Sequence, residues 1–155
     1  MNAPEAGLPL PLVFSVEEMA HPADLVTIDS DLEQYNSAVS ALAQVRQLGV
    51  FARDEKGLII GGAVGRTWGQ CCELLQLWVR EAERGCAVGS RLMSLFEAQA
   101  AARGCTLVYL STFSFQAPGL DSRLGYQTVL ETQGFTDGIV KSTMHKRLGR
   151  DAMAV

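Results

Sequence analysis

One junction constrains this chain more than any other. A strand-like run, Leu74-Leu75-Gln76-Leu77-Trp78-Val79, precedes the small-residue stretch Arg84-Gly85-Cys86-Ala87-Val88-Gly89-Ser90-Arg91-Leu92. A helical run from Leu92 to Arg103 follows. A strand that enters a helix through small residues builds an anion site from the main chain. The first N–H groups of a helix have no partner inside it, and the dipole adds about half a positive charge at that end. Gly and Ala keep side chains away, so a pyrophosphate can lie against the backbone without metal or lysine. Two commoner phosphate loops do not fit. The Walker pattern needs a Lys after its last Gly, and Ser90 follows Gly89 here. The dinucleotide pattern needs three Gly, and this loop offers Gly85, Ala87 and Gly89.

The rest of the chain supplies a sheet for that junction. Leu12 to Glu17 reads as a first strand, broken by His21-Pro22. From Asp24 to Gln44, Leu25, Ile28, Leu32, Tyr35, Val39 and Leu42 recur at helical spacing, with Asn36-Ser37 as a point of interruption. Gly49 to Asp54 and Leu58 to Arg66 read as a hairpin turning at Asp54-Glu55-Lys56-Gly57. Gly61-Gly62 marks a bulge or a close backbone approach. After the turn Trp68-Gly69-Gln70, the run Cys71 to Arg80 is apolar enough for a central strand buried on both faces. The helix after the loop carries Leu92, Leu95, Phe96, Gln99 and Ala100 and stops at Gly104. Leu107 to Thr112 then reads as a strand parallel to Cys71–Arg80. A two-turn helix follows Pro118. Gln127 to Leu130 and Ile139 to Lys146 close the chain as an antiparallel pair, the latter at or near the sheet's edge.

A chain of 155 residues is long enough for one full core. The reading is a Pro-rich lead-in over 1–11, a single domain over 12–148 and a tail over 149–155. The net charge of −4 argues against a nucleic-acid partner and suits a cationic amine. No apolar run reaches the ~18 residues that a bilayer span needs, and no basic n-region opens the chain. Cys71, Cys72, Cys86 and Cys105 form no C-x-x-C, and His21 and His145 are distant from them, which argues against a metal site. Reduced thiols in a cytoplasmic protein are expected.

Leu77-Trp78-Val79 followed by Arg84-Gly85-x-x-Val88-Gly89-x-x-Leu92 resembles the acyl-CoA motif of the GNAT N-acetyltransferase superfamily. Leu110 to Ala117, Arg123-Leu124-Gly125-Tyr126 and Met144 to Leu148 resemble that family's later segments, so the likeness runs from about residue 12 to 148. It implies a mixed α/β sheet with antiparallel N-terminal strands and a central, splayed parallel pair. It implies acetyl-CoA as cosubstrate and transfer of its acetyl group to a primary amine of a small molecule. It implies that Leu77, Trp78, Val79, Arg84, Gly85, Cys86, Ala87, Val88, Gly89 and Ser90 hold the CoA. A homodimer through residues 135–148 is a further implication.

Acyl transfer to an amine needs a polarised carbonyl, a proton acceptor and an exit for the thiolate. The resemblance puts the Val79 backbone forward as oxyanion donor. Glu73 is the candidate base, six residues earlier on the same strand. By simple alternation both project to one face, ~20 Å apart. Where the family's proton-donating Tyr is expected stands Asp121, and an ionised Asp cannot donate. Ser122 or Ser114 then donates instead, or the thiolate leaves unassisted, or the protein binds acyl-CoA without efficient turnover. A peptide amine is the remaining alternative acceptor. Tyr126 is assigned to the core. Ala87 is expected to be harmless, since a helix start has negative φ.

Overall fold

The computed structural model describes residues 12–38, 44–116 and 118–149, with the side chains of all of these except Pro118, Leu120 and Asp121. Two compact units make up the chain, Met1–Ala38 and Val39–Val155. In the first, α1 spans Pro22–Ser37. His21 caps it: Nδ1 accepts the Ala23 N–H at 3.2 Å, and Pro22 fills the first helical position, where a missing N–H costs nothing. Residues 12–17, expected as a strand, are irregular. A strand needs a partner strand, and the described part of this unit is otherwise one helix. The expected helical stretch beyond Ala38 falls largely on 39–43, outside the described residues.

The second unit carries the sheet. β1 (Arg46–Arg53) and β2 (Ile59–Trp68) form the first hairpin. Its turn is held by Asp54, whose carboxylate accepts the N–H groups of Lys56 and Leu58 at 3.0 and 2.9 Å. Gly57 supplies the positive φ that the turn requires. β3 (Cys71–Val79) pairs antiparallel with β2 and leads through a 3-10 turn into α2 (Val88–Ala102). β4 (Leu107–Phe113) returns parallel to β3. After α3 (Pro118–Arg123) come β5 (Gln127–Thr132) and β6 (Lys141–Arg147). The strand order is β1-β2-β3-β4-β6-β5. All neighbours are antiparallel except β3 and β4. This is the mixed sheet with a central parallel pair that the sequence implied.

This order narrows one expectation. β6 is near the edge but not at it: it lies between β4 and β5, pairing with both. The edges are β1 and β5. Met144, in the middle of β6, is 1% exposed, so it is core and not a surface available to another chain. The long polar connection between β5 and β6 lets the last strand insert beside β4, which local sequence reading does not reveal.

The core lies between α2 and one face of the sheet. Leu92, Met93, Phe96 and Ala100 of α2 pack on Cys72, Leu74, Val108, Leu110 and Met144. Burial of that apolar surface supplies the main stabilising term. Polar ties fix α2 at its middle and at its C-terminal end. Tyr126 is buried, as expected, and its hydroxyl donates to Glu97 Oε1 at 3.0 Å. Lys146 Nζ meets Glu97 Oε2 at 2.6 Å. At the C-terminal end, the Arg103 guanidinium donates to the carbonyl of Gln47 at 2.9 Å and to the Thr67 hydroxyl at 3.1 Å.

Candidate functional site

The parallel pairing of β3 and β4 is short. It joins Cys71 through Leu74 to Leu107 through Leu110 and stops there. β3 runs on to Val79 along β2, and β4 runs on to Phe113 along β6. The two strands therefore separate after Leu74 and Leu110. A cleft of about 1200 Å³ fills the fork. Its walls are Leu74–Val79 on one side and Leu110, Ser111, Thr112, Phe115 and Gln116 on the other. Its wide end reaches Glu83, Arg84, Gly85 and the start of α2 at Ala87–Ser90, with Arg123 and Leu124 opposite.

A bulge sits at the mouth of this fork. On β2, Val64 lies opposite Gln76 and Gly65 opposite Leu74, so Leu75 has no partner. An extra residue reverses the alternation of side chains beyond it. Cys72 and Leu74 point to the α2 side before the bulge, and Leu77 and Val79 do so after it. Glu73 belongs to the opposite face, where it meets Arg66. Glu73 and Val79 are thus on opposite faces of β3, contrary to simple counting. Gly65 makes the bulge possible: a Cβ there would meet the Glu73 carbonyl oxygen and lie 2.8 Å from the Phe96 ring. The expected bulge or close approach at Gly61-Gly62 takes the second form. A Cβ on Gly61 would stand 3.1 Å from both the Trp78 carbonyl and Leu92.

Backbone groups at the fork face the cleft. The Arg80 N–H donates to the Ile60 carbonyl at 2.8 Å, toward β2. In an antiparallel ladder, alternate residues turn both their N–H and their C=O to the same side. Val79 and Leu77 therefore turn theirs away from β2, into the fork. The Val79 carbonyl accepts Arg84 Nε there at 3.0 Å, a bond that folds the loop back onto the strand.

At the loop, Gly85 and Ala87 both adopt left-handed conformations, with φ of +80° and +60°. The expectation of a negative φ at Ala87 is corrected. Ala87 is the residue before the first helical turn, and the chain reverses there to aim the α2 axis at the cleft. A side chain in this conformation costs roughly 1–2 kcal/mol. The first bond of the ladder here is Arg91 N–H to the Ala87 carbonyl at 2.9 Å. The N–H groups of Val88, Gly89 and Ser90 precede it and lie at the cleft wall.

Of the ten residues expected to hold CoA, nine line this cleft. Cys86 does not. Its thiol is exposed on the other side of the loop, in a smaller hollow with Phe51, Val88 and Leu95. Ser122 is also outside the cleft lining: its side chain is exposed and its carbonyl accepts the Gly125 N–H. Ser114 is outside the cleft lining as well, its hydroxyl accepting the Val140 N–H at 3.2 Å. The reading of Asp121 concerns a side chain outside the described set. Sequence reasoning missed Thr112, Gln116 and Arg123. Gln116 Oε1 accepts the Thr112 hydroxyl at 3.3 Å and the Phe113 N–H at 2.8 Å, which stiffens the β4 wall. They fall within the segments Leu110 to Ala117 and Arg123 to Tyr126 that carry the family resemblance, but that likeness assigned them no part in the site; the fork brings them together.

Glu73 sits one residue before the end of the parallel pairing, on the face away from α2. Its carboxylate meets Arg66 Nε at 2.8 Å. Tyr109, beside it on β4, is pushed up to about 12 by burial first and by the Glu73 charge second. Among the described residues no group of three or more His, Cys, Asp and Glu lies together as a metal site. The four thiols are free.

Residues 15–121 match the model of the acetyltransferase (GNAT) family. The chain is similar to a blasticidin-S acetyltransferase of Streptomyces morookaense, 35% identical over 99 residues, which are 63% of this chain and 73% of that one. It superposes on the crystal structure of an acetyltransferase from Bacillus cereus with a TM-score of 0.71 at 27% identity, over 86% of this chain and 98% of the other. The fold is also that of an aminoglycoside 6'-N-acetyltransferase crystallised with coenzyme A, with a TM-score of 0.60 at 19% identity, over 90% and 99% of the two chains.

Proposed function

Because the chain belongs to the acetyltransferase (GNAT) family, we propose that it moves an acetyl group from acetyl-CoA to a primary amine of a small molecule by direct attack in a ternary complex. The observation that carries this reading is the fork, with β3 backbone released from β4 at one end and the start of α2 at the other. The pyrophosphate fits the N–H groups of residues 88–90, where the helix dipole favours negative charge. Pantetheine then runs along β3, bonding the backbone of Val79 and Leu77, and its thioester lies at the narrow end of the cleft. Support for a small-molecule acceptor comes from the relative named for blasticidin-S.

The bulge redistributes the catalytic roles. A base must stand within about 3 Å of the proton it takes, or one water away. Val79 is ~20 Å from Glu73 along the strand, so one reaction centre cannot use both. We assign Val79 to holding pantetheine and Glu73 to the amine. Glu73 attracts the ammonium to the fork and takes its proton through water. Ser122 has no part in this scheme. The thiolate leaves into the open cleft, which its pKa of ~8.5 permits near neutral pH.

Release of CoA thiol, followed with a disulfide reagent across a panel of primary amines, tests the reading. Turnover with at least one small amine is expected, and Glu73→Gln should lower kcat about 10²-fold. Binding of CoA without thiol release from any amine would leave an acyl-CoA-binding protein instead.

A further inference from the structure

On the face of the sheet away from α2, three aromatic rings cross four strands. Trp68 of β2 meets Tyr109 of β4 edge to face, with centroids 6.4 Å apart, and Tyr109 meets His145 of β6 at 6.1 Å. The intervening β3 residue opposite Trp68 is Cys71, small enough to let the first two rings touch. The Arg66 guanidinium lies over the Trp68 ring, 4.9 Å from its centroid, while its Nε bonds Glu73. Arg66 is the outermost member: its side chain is 44% exposed, against 21% for Glu73.

This is the arrangement of a bound organic cation, filled by the chain's own side chain. The ring face attracts a cation. A half-exposed ion pair is worth only ~0–1 kcal/mol, so it is readily exchanged. We propose that the Trp68 face is a subsite for a second, distal cation of the acceptor, and that Arg66 occupies it until the acceptor binds. The inference rests on the amine-acetyltransferase reading above. Displacing Arg66 from Trp68 also breaks its bond to Glu73, which frees that carboxylate for the reacting amine. The register fixes the separation. Trp68 is level with Cys71, and the fork opens after Leu74. Three residues of strand separate those levels by about 10 Å, and the Arg66 guanidinium that marks the subsite reaches from the Trp68 ring to the Glu73 carboxylate, so the distal cation stands within that distance of the reacting nitrogen. The acceptor class is therefore an amine with a guanidinium or second ammonium within about 10 Å.

Calorimetric titration of the CoA-bound protein with 6-guanidinohexylamine and with hexylamine tests this. The guanidino compound should bind at least tenfold more tightly. Arg66→Ala should widen the gap a further several-fold, and Trp68→Leu should abolish it, both with unchanged CoA affinity and melting temperature. In the unaltered protein, the Trp68 indole N–H resonance should shift with the guanidino compound and not with hexylamine. Equal binding of the two amines, or a gap that survives Trp68→Leu, overturns the subsite. These readouts separate the two proposals: a binding gap without thiol release keeps the subsite and sinks the reaction, and thiol release without a gap does the reverse.

Discussion

The Glu73 carbonyl oxygen occupies the space that a side chain on Gly65 would need. That contact allows β3 to carry one residue more than β2 at Leu75. Gly65→Ala should therefore destabilise the fold by about 1–3 kcal/mol, the range for forcing an added methyl into a packed site. It should also weaken CoA binding, because the fork depends on the bulge. Urea denaturation and calorimetry check the pair. An Ala variant of unchanged stability would mean that the bulge relaxes freely.

Ala87 holds a left-handed conformation that glycine adopts without strain. Relief of roughly 1–2 kcal/mol of strain is partly offset by the ~0.5–1 kcal/mol entropy cost of a glycine. Ala87→Gly should thus stabilise the protein by up to about 1 kcal/mol, seen as a higher urea midpoint. CoA affinity should not fall.

Gly89 lies in the first turn of α2 at the cleft wall. Gly89→Glu sets a carboxylate against the proposed pyrophosphate and should reduce CoA affinity at least 10²-fold, about 3 kcal/mol. Its melting temperature should stay close to that of the parent. Unchanged affinity in the folded variant removes the loop from the CoA site.

Met144 is buried at the centre of β6. Met144→Asp places a carboxylate in the core and should unfold the domain at room temperature, well beyond the ~1 kcal/mol of an average substitution. Circular dichroism reads it directly. Of the two edge strands, β1 and β5, the latter has all six residues exposed, so light scattering on a Leu130→Lys variant is the suitable probe of a dimer through the closing strands.

Stability should fall as the solution is made alkaline. Burial, and then the neighbouring Cys105, push the Cys72 thiol up to about 12. Burial and Glu73 raise Tyr109 to about 12. The folded state keeps both protons after the unfolded chain has lost them. The contribution is thus complete below about pH 8.5 and disappears as pH rises toward 12. Urea midpoints between pH 8 and 11 should decline, and Cys72→Ala should lessen the slope.

The loop was legible in sequence because its chemistry is local: small residues at a helix start are visible one after another. The strand–loop–helix order and the hairpin at Asp54-Gly57 were legible for the same reason. The opposite faces of Glu73 and Val79 were not, because one unpaired residue at Leu75 reverses the alternation and only the register with β2 reveals it. The place of β6 escaped too, since insertion between β4 and β5 is a property of the whole sheet. Arg66 and Trp68 share one face of β2, but Glu73 and Tyr109 reach them from β3 and β4, and no spacing along the chain links the three strands.

The parallel seam of β3 and β4 closes only as far as Leu74 and Leu110. Beyond it, the proposed cosubstrate site is written in peptide groups. Peptide groups are the same whatever side chain they carry, so residues such as Gln76 and Trp78 on the far face can be exchanged without erasing the groove. Under the proposed reaction this separates two inheritances: a generic half that stays the same under substitution, and a tunable half, on the Glu73 side, where side-chain changes would choose a different amine.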